Sequence, residues 1–211
     1  MPHAFSTLTF TPSVKEVQTE LGVRATNQKL NERGFPNDTL GHYEQEFIAA
    51  RDSFYMATVS ETGWPYIQHR GGPAGFLRVI DDKTIAFADV TGNRQYITLG
   101  NLRASDKVAL FLMDYPHQTR LKILGHAEFL PWADAPEWKT DLTLPPKTKP
   151  ERVVRIRVEA FDWNCPQHIT PRWTAEEILA SPVGQRLASM QAEIERLREE
   201  LKEAKAAHGN G

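Results

Sequence analysis

Apolar residues change their spacing along the chain, and each change predicts a different kind of structure. In two stretches of the first 51 residues they recur every three to four positions, the period of a helix. Val14, Val17 and Leu21 share one side of a stretch that Gly22 closes, and Ser13 with Glu16 forms a capping-box pattern at its start. Arg24 to Asn37 is polar and reads as a loop or a short helix. A second helix is predicted from Thr39 to Arg51, with Leu40, Tyr43, Phe47 and Ile48 on one face.

From residue 52 the pattern shortens to that of strands. Phe54 to Val59 is one, and Glu61-Thr62-Gly63 turns the chain into a second at Pro65 to Arg70. Phe76 to Ile80, Thr84 to Ala88, Val108 to Met113, Leu121 to Leu130 and Arg152 to Phe161 bring the expected total to about seven. Short strands joined by tight turns favour an antiparallel barrel over a parallel sheet. Arg94 to Arg103 has the length of one short helix, and the proline-rich stretch Pro131 to Pro150 reads as a helix-containing excursion over the surface.

The last change comes at Ser181-Pro182, a capping serine followed by a first-turn proline. Val183, Leu187, Met190, Ile194, Leu197 and Leu201 follow at alternating spacings of four and three, the core of nearly three heptads. With Leu187 and Ile194 at a, Glu193 and Glu200 occupy g while Arg198 and Lys205 occupy e. A parallel pair opposes unlike charges and an antiparallel pair like ones. A helix packed on its own barrel fits the same stripe. The expected organisation is a helical extension over 1–51, a barrel over 52–170 and a helical tail over 171–211.

Composition narrows the class. The chain has 211 residues, 40% hydrophobic and 25% charged, enough to bury a real core. A net charge of -2 gives no reason to expect nucleic acid or an anionic membrane as partner. No apolar run has the length of a membrane span, and Met1-Pro2-His3-Ala4-Phe5 lacks the features of a signal peptide. The single cysteine, Cys165, cannot make an internal disulfide, and the cytoplasm is the expected location.

Three segments carry candidate chemistry. Ala88-Asp89-Val90-Thr91-Gly92-Asn93-Arg94-Gln95 joins an apolar strand to a helix expected to begin near Arg94. Free N–H groups at such a helix start, with the Arg94 guanidinium and the Asn93 and Gln95 amides, suit a phosphate, although an Arg beside two amides is more often a solvated turn. Gln68-His69-Arg70-Gly71-Gly72-Pro73 ends a strand in polar residues and two glycines that let a ligand approach the backbone, or it is simply a flexible strand end. Trp163-Asn164-Cys165-Pro166-Gln167-His168-Ile169 places an aromatic ring, amides, a thiol and an imidazole directly after a strand. Cys165 with His168 is too few ligands for zinc, and a buried structural cysteine is the more common case. The remaining histidines are scattered, so no metal site is expected. A dinucleotide fingerprint, a Walker-type phosphate loop and a Gly-x-Ser-x-Gly elbow are all missing, which weighs against Rossmann, kinase and esterase functions.

In their order, these pieces resemble the pyridoxamine 5'-phosphate oxidase-like superfamily of FMN-binding split barrels. The resemblance runs from about Phe47 to Ile169. It is carried by the hairpin Phe54 to Tyr66, by Ile85 to Gln95, by Gly100-Asn101-Leu102 with the strand after it, and by Arg120-Leu121-Lys122-Ile123-Leu124-Gly125-His126-Ala127, which resembles a family strand bearing Gly-x-Ala. Where relatives have serine, arginine and lysine, this chain has Asn93, Arg94 and Gln95. The segment Asp162 to Ile169 is closer to a branch apart from the true oxidases.

The resemblance implies a mainly β protein with flanking helices, an antiparallel split β-barrel, that forms a homodimer with two FMN sites built from both subunits. On matching positions, Gln68, His69 and Arg70 would lie beside the flavin and its phosphate tail. Ala88 and Asp89 would touch it through backbone, and Asn93, Arg94 and Gln95 would hold the phosphate. Arg120 would stand near the isoalloxazine ring, with Trp163 and Gln167 closing the site. Pro73 replaces a lysine of the true oxidases, and the heptad helix stands where their pyridoxal-gripping ending would be. Fold alone does not supply the substrate. The function expected is FMN-dependent oxidoreduction of a small molecule by hydride transfer at the flavin, with NAD(P)H as candidate donor. No catalytic residue is assigned; His69 and His168 are the candidate acids or bases. Alternatives are a non-catalytic flavin storage or sensor module, and a split barrel that uses deazaflavin or haem.

Overall fold

Alternating apolar positions in the middle of the chain fold as strands because one face of each can be buried against the others. A computed structural model describes residues 3–33, 35–144, 146–163 and 167–208. Its strands are β1 (Ser53–Val59), β2 (Pro65–Gly71), β3 (Arg78–Asp81), β4 (Thr84–Val90), β5 (Lys107–Asp114), β6 (Thr119–Pro131) and β7 (Pro150–Trp163). They form one seven-stranded sheet in the order β2-β1-β5-β6-β7-β4-β3, with every neighbouring pair antiparallel.

The sheet curls strongly. Phe54 on β1 and Phe87 on β4 stand four strands apart in that order, about 19 Å in a flat sheet at the usual strand spacing. Their ring centroids are 5.4 Å apart, and the rings meet edge to face. This is the split barrel, and its interior holds Met56, Leu110, Leu112, Leu121, Ile123, Val154 and Ile156 beside the two phenylalanines. From Ile85 to Asp89, β4 is buried on both faces. Ile85 and Phe87 belong to the interior. Ala86 and Ala88 pack outward with Ala135 and Leu142 of the proline-rich excursion, where Trp132 and Trp138 join them. The excursion contains one 3-10 turn, Glu137–Asp141.

Helices α1 (Ala4–Thr9), α2 (Pro12–Glu20), α3 (Arg24–Arg33) and α4 (His42–Ala49) precede the sheet. The cap of α2 is Thr11, not Ser13. The Thr11 hydroxyl accepts from the Val14 N–H at 3.4 Å, and Pro12 takes the first helical position, where its missing N–H costs nothing. Helix α1 has no apolar stripe to predict it. Helix α4 buries Phe47 and Ile48, with Leu40 just before it, in the main core. Helix α5 (Ile97–Ala104) lies between β4 and β5, and α6 (Ala175–Ala180) and α7 (Pro182–His208) end the chain.

The chain divides into two compact units. One runs to Asp114 and from Gln118 to His168; the other comprises Tyr115–His117 and the chain from Ile169. Among the described residues, no helix is long and apolar enough to cross a membrane.

Candidate active site

Strand alternation sorts the polar end of β2. Tyr66, Gln68 and Arg70 line one cleft, while Ile67 and His69 belong to the opposite face. The cleft, of about 200 Å3, is completed by Asp89 at the end of β4, by Asn93, Arg94 and Gln95 in the following loop, and by Glu151 and Arg152 on β7.

The loop is shaped by left-handed residues rather than by a helix start at Arg94. Arg94 and Tyr96 have φ of +61° and +54°, so α5 begins only at Ile97. Asn93 organises the turn: its Oδ1 accepts from the Gln95 N–H at 3.1 Å, and its Nδ2 donates to Gln95 Oε1 at 3.2 Å. Helix α5 is tied down by two polar pairs. The Thr98 hydroxyl donates to Gln68 Oε1 at 2.9 Å, and Asn101 Nδ2 donates to the buried Thr58 hydroxyl at 2.9 Å.

Three guanidinium groups, Arg70, Arg94 and Arg152, share this cleft with two carboxylates, Asp89 and Glu151. Asp89 accepts from Arg70 Nη1 at 3.3 Å and from Arg152 Nε at 3.1 Å. Asp89 and Arg152 are direct cross-strand partners in the β4–β7 pairing. Arg152 also holds Glu151 at 2.6 Å, and the Thr91 hydroxyl donates to Glu151 at 2.7 Å. Burial pulls the Arg70 guanidinium below its ordinary pKa, opposed by Asp89 and by Tyr66, and it remains protonated. Burial acts against the charge of Arg152 as well, but there the Asp89 and Glu151 carboxylates outweigh it and raise the pKa. The Thr91 hydrogen bond, aided by Arg152 and Arg94, holds the Glu151 carboxyl below its ordinary value.

One donor in the cleft is left over. Arg70 Nε is buried and meets no hydrogen-bond partner in the protein, a costly state for a charged group unless a ligand supplies the acceptor. A buried orphan donor, with Arg94 and Arg152 beside it, gives an anion such as a phosphoryl group a matching set of charged donors.

The structure therefore gathers Gln68, Arg70, Asp89, Asn93, Arg94 and Gln95 at one site. Other expected residues stand elsewhere. His69 meets Tyr55 edge to face with centroids 5.6 Å apart. The Ala88 side chain packs in the outer apolar cluster, whereas the contact expected of this residue was through its backbone. Arg120 lies over the Phe111 ring at 5.6 Å, and its buried Nε also finds no partner. Trp163 packs on Phe47 and Tyr43 and donates to Glu44 at 2.8 Å. Gln167 and His168 are exposed. Asn164 and Cys165 lie outside the described residues. Arg152, Glu151 and Thr98 were not among the expected residues. A polar Glu-Arg pair opening an apolar strand was the only trace of the first two.

The sequence from residue 42 to 164 matches the family described as pyridoxamine 5'-phosphate oxidase, more than half of the chain. The chain belongs to that family. The family region spans all seven strands and every residue of the cleft. No curated protein matches the chain as a relative. Among solved structures it is similar to HupZ of Group A Streptococcus, at 20% identity and a TM-score of 0.46, over 64% of this chain and 99% of that one. An FMN-binding protein of Syntrophomonas wolfei shares 14% identity with a TM-score of 0.43, over 71% of this chain and 96% of that one. General Stress Protein 26 of Bacillus anthracis shares 12% with a TM-score of 0.39, over 56% and 88%. These likenesses are remote, and family membership stands on the sequence match.

Proposed function

We propose that this protein is an FMN-dependent oxidoreductase acting on a small molecule, with the cofactor's phosphate held in the cleft between β2, the β4–α5 loop and β7. The observation that carries this reading is the unpartnered, buried Nε of Arg70 in a cleft that also holds Arg94 and Arg152. Arg94 would supply the outer charge-assisted contact to the phosphate, with the Asn93 and Gln95 amides beside it. Asp89 would fix Arg70 and Arg152 in place, so that little reorganisation accompanies binding. Gln68, held by Thr98, would orient the ligand along β2. FMN supplies two-electron hydride chemistry when bound; the protein supplies binding, orientation and exclusion of water.

A homodimer is part of the proposal. The outer face of β1, β2 and β5 carries Tyr55, Ile67 and Phe111, and Ile67 is 63% exposed. His69 pairs with Tyr55 on that face, and Arg120 stacks on Phe111. A second copy covering the face would bury its apolar side chains. The buried Arg120 Nε would then find its acceptor in the partner or in the partner's ligand.

The test is the absorbance spectrum of the purified protein, with the released ligand identified by mass. The expected outcome is a flavin spectrum, FMN by mass, bleaching by NADPH or NADH, and recovery in air or on adding a substrate. A flavin that neither nicotinamide bleaches would indicate a storage or sensor module. A Soret band would indicate haem, and uptake of deazaflavin without FMN would indicate that cofactor instead. Protein that retains and takes up no flavin would overturn the proposal.

A further inference from the structure

Helix α7 carries an apolar stripe with a charge pattern that selects its partner. Leu187, Met190, Ile194, Leu197 and Leu201 are each about half exposed along 27 helical residues. In the first turn α6 abuts the helix at Gly184, where a Cβ would stand 2.2 Å from the Ile178 carbonyl oxygen, while Val183 remains 64% exposed at the head of the stripe.

We infer that α7 pairs with α7 of a second copy of this chain as a parallel, in-register, two-stranded coiled coil. Leu187, Ile194 and Leu201 occupy a positions, and Met190, Leu197 and Ala204 occupy d. The central heptad joins a β-branched residue at a to leucine at d, the combination that favours two strands. Flanking charges fix the direction. In a parallel pair Glu193 at g faces Arg198 of the second copy at e, and Glu200 faces Lys205. An antiparallel pair would set Glu against Glu and Arg or Lys against Arg or Lys. Within each helix, Arg196 reaches Glu193 at 2.6 Å and Glu200 at 3.9 Å from the position between them. Both g carboxylates can share this arginine with the basic e residues of a parallel partner.

The experiment uses full-length protein in which Cys165→Ser removes the native thiol. Leu197→Cys, at a central d position, should oxidise to a disulfide-linked dimer under mild oxidation. Glu199→Cys, on the outside of the same helix, should remain monomeric on a denaturing gel. Adding Glu193→Lys with Glu200→Lys should suppress the Leu197→Cys cross-link, because every facing pair becomes basic. Adding Arg198→Glu with Lys205→Glu to that variant should restore it. Restoration by the second charge reversal separates a paired helix from one that has unfolded. Cross-linking at Glu199→Cys equal to that at Leu197→Cys, no cross-link at Leu197→Cys, or indifference to charge reversal would overturn the assignment.

Discussion

Asp89 accepts hydrogen bonds from two arginines that reach it from different strands, and neither contact can be read along the chain. Arg70 lies 19 residues before it and Arg152 lies 63 residues after it. The polar run Asn93-Arg94-Gln95 was legible because it follows an apolar strand closely in sequence; Arg152 joins it only through the β4–β7 register. The same distinction explains the start of α5. Composition favours a helix from Arg94, but two left-handed residues delay it by three positions, and a single sequence carries no signal for φ at an arginine. Arg94 is expected to act through its charge. Arg94→Ala should weaken FMN binding roughly ten- to hundredfold, since one charged hydrogen bond contributes about 1.5–3 kcal/mol. Fluorescence titration of the apoprotein measures this, and an unchanged affinity would remove Arg94 from the site. Glu151 gives a second residue-level expectation. Its carboxyl is held below its ordinary pKa first by Thr91 and then by Arg152 and Arg94, so the folded state favours the ionised form. That stability is present above the unfolded pKa, about 4.3, and is lost as pH falls through the lowered folded value. Glu151→Gln, which can still accept from Thr91, should flatten the acid side of a plot of Tm against pH. A slope identical to that of the parent would show that Glu151 is not the group being titrated.

At the scale of elements, short apolar runs between turns located all seven strands: most bury one face and leave the other half-exposed, while β4 is buried on both. The start of β3 moved by two residues, because Phe76 and Leu77 are buried but precede the paired residues. Helices were less legible. The residues of α1 lack a stripe, and α3 has only Ala25 and Leu30 among polar residues, so neither announces a face to bury. Gly125 shows what a strand pattern conceals. It sits at the bulge between β6 and β7, where a Cβ would come 2.5 Å from the Arg157 carbonyl oxygen and 3.0 Å from Ile156 Cγ2. The close backbone approach explains a glycine in the middle of this strand. Gly125→Ala must push two central strands apart, and overpacking of this kind costs roughly 1–3 kcal/mol. A lower urea midpoint with unchanged m-value is the expected result, whereas unaltered stability would mean that the bulge yields freely.

At the scale of the whole molecule, the two associations proposed for this chain use different surfaces: the outer face of β1, β2 and β5, and the stripe of α7. They make separable demands. Among the described residues the barrel's core cluster runs from Leu40 to Phe161, so the first unit is expected to keep its fold without α7. A chain ending at Pro182 is therefore expected to unfold cooperatively and to bind FMN as the full chain does. It should also remain dimeric in sedimentation equilibrium, because the apolar face bearing Tyr55 and Ile67 is still present to be covered. A truncated chain that sediments as a monomer would assign the association to α7 instead. If the monomer also released its flavin, the loss would locate part of the cofactor site on the partner, where Arg120, with its unpartnered Nε, is the first residue to examine.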